Sequence, residues 1–332
     1  MKGALSIFRF LRAAADQGRR VVLVTLTDVI GRGARAPGAH MGVCEDGTFI
    51  GALSSGCVEA AIVAEALAVL EERQSRQVRF GLGSPYLDIR LPCGGGIDLL
   101  FTPDPPADQL ARLIDLLEAR RCASLQLDLG GLAAGASDMV GWSDGIFHVR
   151  HHPDPRLVII GQGREAVSLT QLAWAYTPDV AVFSPDRSVL EDVGAAGSPL
   201  LTPSAAPTLG ADAYTAIVFL FHDHDWEGDL LCQALATPSF YIGAMGSAAT
   251  RQGRAEALLA RGCSAQAIAR VRAPIGLIPA ARDPDTLAVS ILAQIVQAYA
   301  AHIDRTSAEV AASIAVPEAS WEEPRRLAGA LS

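Results

Sequence analysis

The chain has 332 residues, half of them hydrophobic and 19% charged, a globular composition long enough for two domains of ordinary size. Its formal net charge of −9 argues against broad contact with nucleic acid or an anionic membrane, since both recruit clustered Lys and Arg. Arg9 and Arg12 interrupt the apolar N-terminal segment, unlike a secretory signal, and no later apolar run approaches the roughly 20 residues of a spanning helix, so a cytoplasmic protein is expected.

Residues 5–17 place Leu5, Phe8 and Leu11 on one helical face, and Gly18 stands where a helix commonly stops. VVLVTLT, residues 21–27, reads as a strand. The Gly- and Pro-rich 28–41 reads as irregular, and strands near 41–44 and 48–53 flank Glu45-Asp46-Gly47 as a hairpin. A helix over 57–73, strands at 77–80 and 97–102, a helix over 107–120 and short strands up to Arg150 complete a mixed α+β half. HHPDP, residues 151–155, reads as a junction. Beyond it strand and helix alternate: strands at 157–160, 180–183, 216–221 and 241–242, and helices from 164, 225 and 247, with a last helix over 284–302. The expected fold class is α/β, an N-terminal mixed domain over 1–150 followed by a Rossmann-like, doubly wound parallel sheet over 156–302 and a polar tail over 303–332.

Four stretches have the residue types of a binding site. RLVIIGQGREA offers Gly161, Gly163 and Ala166 as a GxGxxA turn for a dinucleotide pyrophosphate at a helix N-terminus, which makes NAD(P) a candidate ligand. The acid that usually holds the ribose is displaced, because Ser184 ends the next strand and Asp186 follows two residues later. GALSSGCVEA sets Cys57 at the expected start of a helix, with Ser54 and Ser55 as candidate caps, Gly56 beside it and Glu59 in the first turn. The helix dipole there can lower a thiol from about 8.5 to about 3.5–7.5, giving a nucleophile or a soft metal ligand, and Glu59 could handle a proton. A small thiol packed under a tight turn fits the same residues. LPCGGG repeats the theme with Cys93 beside Gly94, Gly95 and Gly96, whose backbone can offer N–H groups to an anion. GRGARAPGAH adds Arg32 and Arg35 on a glycine-rich loop suited to a phosphate.

The remaining polar clusters read more simply. His222 and His224 in HDHD lack an obvious third metal ligand and are expected in a loop and helix cap. GAMGS, residues 243–247, with Arg251 has small residues that open a helix and could cradle an anion, and a tight turn explains it nearly as well. The six cysteines contain no CxxC pair, and Cys122, Cys232 and Cys263 read as small filler or surface residues.

Taken in order, GRGARAPGAHM, GALSSGCVEA, LPCGGGIDLLF, VIIGQGREAVSL, FHDHD, YIGAMGSAATRQGR and APIGLIPAARDPDTLAVSILAQI resemble the XdhC family of xanthine dehydrogenase accessory factors over about residues 10–300. The resemblance implies a maturation factor that binds the molybdenum cofactor (molybdopterin), protects it during sulfuration and hands it to an apo molybdenum hydroxylase client. A cysteine desulfurase is then the sulfur donor, and a homodimer is compatible with such a carrier. It also implies Cys57 as the cofactor and metal ligand, with Cys93 as the other candidate, and Ser55, Gly56, Glu59, Gly94, Gly95, Arg32 and Arg35 around the cofactor. Where the family usually reads SGGCVE this chain has Ser55, and IPAARDP after PIGL suggests a subgroup whose client differs from xanthine dehydrogenase. The alternative reading is an NAD(P)-dependent oxidoreductase built on Gly161 and Gly163.

Overall fold

The structure is a computed structural model that describes residues 3–31, 33–54, 56–84, 91, 94–135, 138–203, 207–222 and 224–314. Helix α1 (Ala4–Asp16) buries Ile7, Phe8, Leu11 and Ala14 along one face and ends before Gly18, whose φ of 77° lets the chain reverse. Strand β1 (Val21–Ile30) is buried on both faces through Thr27, and it extends into the stretch expected to be irregular. Pairing explains the extension: β1 lies between β2 (His40–Cys44) and β5 (Gly96–Pro103), and β5 continues alongside it as far as Ile30 opposite Gly96. β2 forms the expected hairpin with β3 (Phe49–Ile50), a strand of two residues. Helix α2 (Glu59–Glu72) and β4 (Arg76–Gly81) complete a sheet in the order β3-β2-β1-β5-β4.

The alternation of β1 divides two cores. Val22, Val24 and Leu26 meet Ile62, Ala66, Val69 and Leu70 of α2, while Val21 and Leu23 meet Phe8 and Leu11 of α1 and Leu110, Leu113 and Leu117 of α3 (Ala107–Glu118). The second core also takes in Leu125, Leu127, Phe147 and Val149. These belong to a further antiparallel sheet, β7-β6-β9-β8, formed by β6 (Ala123–Asp128), β7 (Gly131–Gly135), β8 (Gly141–Ser143) and β9 (Ile146–His151).

The rest of the chain is a parallel sheet in the order β12-β11-β10-β13-β14-β15. Its elements are β10 (Arg156–Gly161), α4 (Gly163–Tyr176), β11 (Val180–Ser184), α5 (Arg187–Val193), β12 (Gly197–Pro199), β13 (Thr215–Leu220), α6 (Gly228–Leu235), β14 (Tyr241–Ala244), α7 (Ala248–Ala260), α8 (Ala265–Ile268), β15 (Val271–Arg272) and α9 (Pro284–Ile314). Leu157 and Ile159 face α4, α5 and α9, and Val158 and Ile160 face α6 and α7, so each short strand is apolar throughout. The order reverses between β10 and β13, the place where doubly wound sheets hold ligands.

Two expectations are corrected at α9. The helix runs past His302 to Ile314, into the stretch read as tail, because its alanine-rich sequence keeps helical propensity; residues 315–332 lie outside the described residues. Pro284–Thr306 is also long and apolar enough, by length and composition, to cross a membrane, contrary to the reading that no such run exists. In the fold, Ala288, Ile291 and Ile295 pack into the core beside α4.

Arg120, with a φ of 59° just beyond α3, joins the two halves. Its guanidinium donates to both Asp212 oxygens at 2.7 and 3.2 Å and to the carbonyls of Asp154 and Tyr214 at 2.6 and 3.3 Å. Burial pushes the Asp212 carboxyl up, but the hydrogen bonds from Arg120 and Thr215 outweigh it and hold the group below the usual range.

Candidate functional site

The end of the first sheet is built by strand direction. β1 ends and β5 begins at the pair Ile30 and Gly96, and β4 ends at Gly81 opposite the same Gly96. A Cβ on Gly31 would stand 3.7 Å from Gly95 Cα, so the loops carrying the first and third motifs touch. Helix α2 returns to β4 through a short turn pinned by Arg76, which pairs with Glu65 at 3.1 Å and Glu72 at 2.6 Å. Fourteen helical residues rise about 21 Å and six strand residues about 20 Å, so the first turn of α2 stands level with Gly81. Gly31 and Gly95 therefore meet at one end of the sheet, next to the end of β4.

Cys57 is exposed and lies two residues ahead of α2 rather than in its first turn. The helix starts later than expected because Glu59 organises the preceding loop. Glu59 is 7% exposed, and its carboxylate accepts the N–H groups of Leu53 at 3.2 Å, Ser54 at 2.9 Å and Val58 at 3.3 Å, together with the Ser54 hydroxyl at 2.6 Å. Ser54 Oγ in turn accepts Val58 N–H at 3.0 Å. Gly56, with φ of 96°, supplies the left-handed residue that this tight loop requires. Burial pushes the Glu59 carboxyl up, and the bonds from Ser54, its own N–H and Val58 more than offset that, leaving it below its usual range. Glu59 thus ties down the loop, both of its carboxylate oxygens accepting from the loop's own donors.

Arg35 joins the same loop from the other side, donating through Nε to Ala52 O at 3.3 Å. A cavity of about 380 Å³, a volume within the range of small-molecule sites, lies between the start of α1 (Gly3, Ala4 and Ile7) and Arg35, Gly51 and Ala52, and Cys57 and Gly94 are not part of its wall. Gly94 is exposed with a φ of 69°. Arg32, Ser55 and Cys93 lie outside the described residues. Among the described residues no group of three His, Cys, Asp or Glu side chains is placed to hold a metal ion, so Cys57 could offer a metal one protein sulfur and no ready-made cage.

The sequence reading missed two residues in the cavity wall. His40 and His151 meet Nε2 to Nε2 at 2.8 Å, and His40 Nδ1 lies 2.9 Å from Thr25 Oγ1. Both rings are almost fully buried, with Phe8 against each. Burial lowers His40 to about 3, and burial with the neighbouring His40 ring holds His151 well below its ordinary value. The pair is neutral at pH 7. His40 ends the GRGARAPGAH motif already singled out, but nothing in the sequence links it to a residue 111 positions away.

The dinucleotide turn of the second half sits at the reversal between β10 and β13. Gly161 is needed there because a Cβ would lie 2.6 Å from Leu220 O. Ser184 is fully buried and its hydroxyl accepts Asp186 N–H at 3.1 Å. That turn brings Asp186 back to the loop, where Oδ2 accepts Gly163 N–H at 3.1 Å. Glu165 Oε2 is also close, 3.1 Å from where a Cβ on Gly163 would be. Two carboxylates thus occupy the positive end of α4, and a pyrophosphate would have to displace one and face the other. His222 is exposed and stands 3.6 Å from Glu165, while Asp223 lies outside the described residues.

Comparison with known proteins agrees with this architecture. Residues 157–295 match the family model of the XdhC Rossmann domain, and residues 14–81 match that of the XdhC and CoxI family. The chain is 36% identical over 293 residues, 87% of either chain, to the molybdenum cofactor insertion chaperone PaoD of Escherichia coli K12. It is 25% identical over 273 residues, 78% of this chain and 40% of the other, to the uncharacterized protein YqeB of the same organism. A crystal structure described as a xanthine dehydrogenase from Bacillus halodurans shares the fold, with a TM-score of 0.68 at 22% identity over 89% of this chain and 96% of that one. Both family models fall on the two sheets that carry the glycine loops, and the full-length relative spans both of them: the chain belongs to the XdhC family.

Proposed function

We propose that this protein is a maturation factor for a molybdenum hydroxylase, which binds molybdenum cofactor, supports its sulfuration and passes it to the apo-enzyme in the cytoplasm. The observation that supports the reading is the exposed Cys57 on a loop fixed by Glu59, in the same half of the chain as the touching glycine loops of Gly31 and Gly95. Its 36% identity to a molybdenum cofactor insertion chaperone supports the same reading. Molybdopterin is a phosphorylated dithiolene, and each part has a matching group. Arg35 and the glycine backbone suit the phosphate, and a thiolate at Cys57 suits molybdenum or its sulfur. Arg32, Ser55, Gly56 and Cys93 belong to the same segments and complete the proposed binding set. The client is an apo molybdenum hydroxylase and the sulfur donor a cysteine desulfurase; a homodimer would present two such sites. NAD(P) has no part in this reading, because Asp186 and Glu165 crowd the loop where its pyrophosphate would sit.

The test is retention of molybdopterin, assayed as its fluorescent oxidation product, after incubation with free cofactor and gel filtration. Wild type is expected to retain close to one equivalent, and Cys57→Ala or Cys93→Ala far less. No retention by wild type refutes the proposal, and full retention by Cys57→Ala refutes the assignment of that thiol.

A further inference from the structure

A second pair of thiols lies far from Cys57, in the parallel-sheet half. Cys232, on α6, and Cys263, just past the end of α7, have their sulfur atoms 2.9 Å apart, and both residues are partly exposed. Two unbonded sulfurs in ordinary contact stand farther apart, and a disulfide bond needs about 2.05 Å, so a movement under 1 Å separates the thiols from a bond. The sites are 31 residues apart, and the chain between them holds the end of α6, β14, the GAMGS turn and α7. Neither thiol belongs to the proposed cofactor site. We propose that Cys232 and Cys263 form a redox site whose substrate is a hydroperoxide, which oxidises the pair to a disulfide joining α6 to the end of α7.

The reaction balances in two steps. One thiolate attacks the terminal oxygen of the hydroperoxide, breaking the O–O bond to give a sulfenic acid and an alkoxide, or hydroxide from hydrogen peroxide, which takes up the thiol's proton to leave as an alcohol or water. The second thiol then displaces the sulfenic oxygen, forming the S–S bond and water. Two electrons pass from the sulfurs to the peroxide oxygens. Burial and the neighbouring Cys263 push the Cys232 thiol up, and whichever sulfur attacks, the other resolves the sulfenic acid. Arg261, paired with Asp229 at 3.3 Å, brings a positive charge beside the pair.

The experiment treats the full-length reduced protein with hydrogen peroxide, alkylates the remaining thiols, digests with trypsin without reductant and identifies linked peptides. The expected result is the peptide of residues 262–270 joined to the one carrying Cys232, with two of the six cysteines lost to alkylation and recovered with dithiothreitol. Cys232→Ser and Cys263→Ser should each lose the link while binding molybdopterin as wild type does, which separates this proposal from the cofactor reading. Oxidised protein in which Cys232 and Cys263 both remain alkylatable, or a link joining other cysteines instead, overturns it.

Discussion

The buried imidazole pair makes stability depend on pH in a window where few other groups act. In the folded chain His40 titrates at about 3 and His151 well below its ordinary value, whereas both take up protons near 6.5 once unfolded. The unfolded state therefore binds more protons between pH 6.5 and about 3, and stability falls as pH drops through that range. Integrating one such site from pH 7 to pH 5 gives about 2 kcal/mol, so the pair together removes about 4 kcal/mol. His40→Gln/His151→Gln keeps hydrogen-bonding groups near the contact with Thr25 but has no proton to gain. Urea unfolding at pH 7, 6 and 5 should show wild type losing about 4 kcal/mol more than the double variant over that range. His152, lowered to about 4 mainly by burial, adds a similar slope to both proteins and cancels in the comparison. Parallel losses in the two proteins would refute the reasoning, as would titration of either ring above pH 5 by NMR.

Glu59→Gln replaces an acceptor-only group facing four donors with one that carries its own N–H, and should cost about 2–4 kcal/mol. Amide exchange at Ser54 and Val58 should quicken by at least tenfold, and unchanged protection would show that the carboxylate does not hold the loop. Because the Glu59 carboxyl is lowered, its contribution is present above the ordinary Glu range and fades as pH falls below about 4. Arg120→Met leaves Asp212 and two carbonyls between the halves without their donor, for an expected loss of about 3–5 kcal/mol in urea unfolding; less than 1 would mean the fork is not a stabilising link. Gly161→Ala pushes a methyl against Leu220 and should cost about 1–3 kcal/mol, with a loss under 0.5 showing that β10 and β13 can part freely.

The parallel half was largely legible because its apolar strands, buried on both faces, are bounded by Gly and Pro. Leu157–Ile160 and Ala216–Phe221 needed only composition to be read as strands. The short elements α5, β12, α8 and β15 were missed, since a few residues do not complete a period. The separate sheet of β6 to β9 was seen as short strands, but its pairing depends on contacts that no local pattern encodes.

Within the candidate site, Cys57, Gly56, Arg35 and the glycines of the third motif were visible as residue types. The meeting of Gly31 with Gly95 was not, because it follows from β5 running antiparallel to β1 and ending its ladder at Ile30 and Gly96. The same distinction decides Glu59 and Asp186. Glu59 was read in the sequence as a first-turn acid that could handle a proton and Asp186 as an acid displaced from the ribose-binding position, and the structure shows both accepting backbone N–H groups of their own chain. A sequence sets which groups a loop carries and how its backbone is free to turn. Whether a carboxylate faces solvent, a ligand or a neighbouring amide, and whether two histidines 111 residues apart share a proton, is fixed only when packing closes the chain around them.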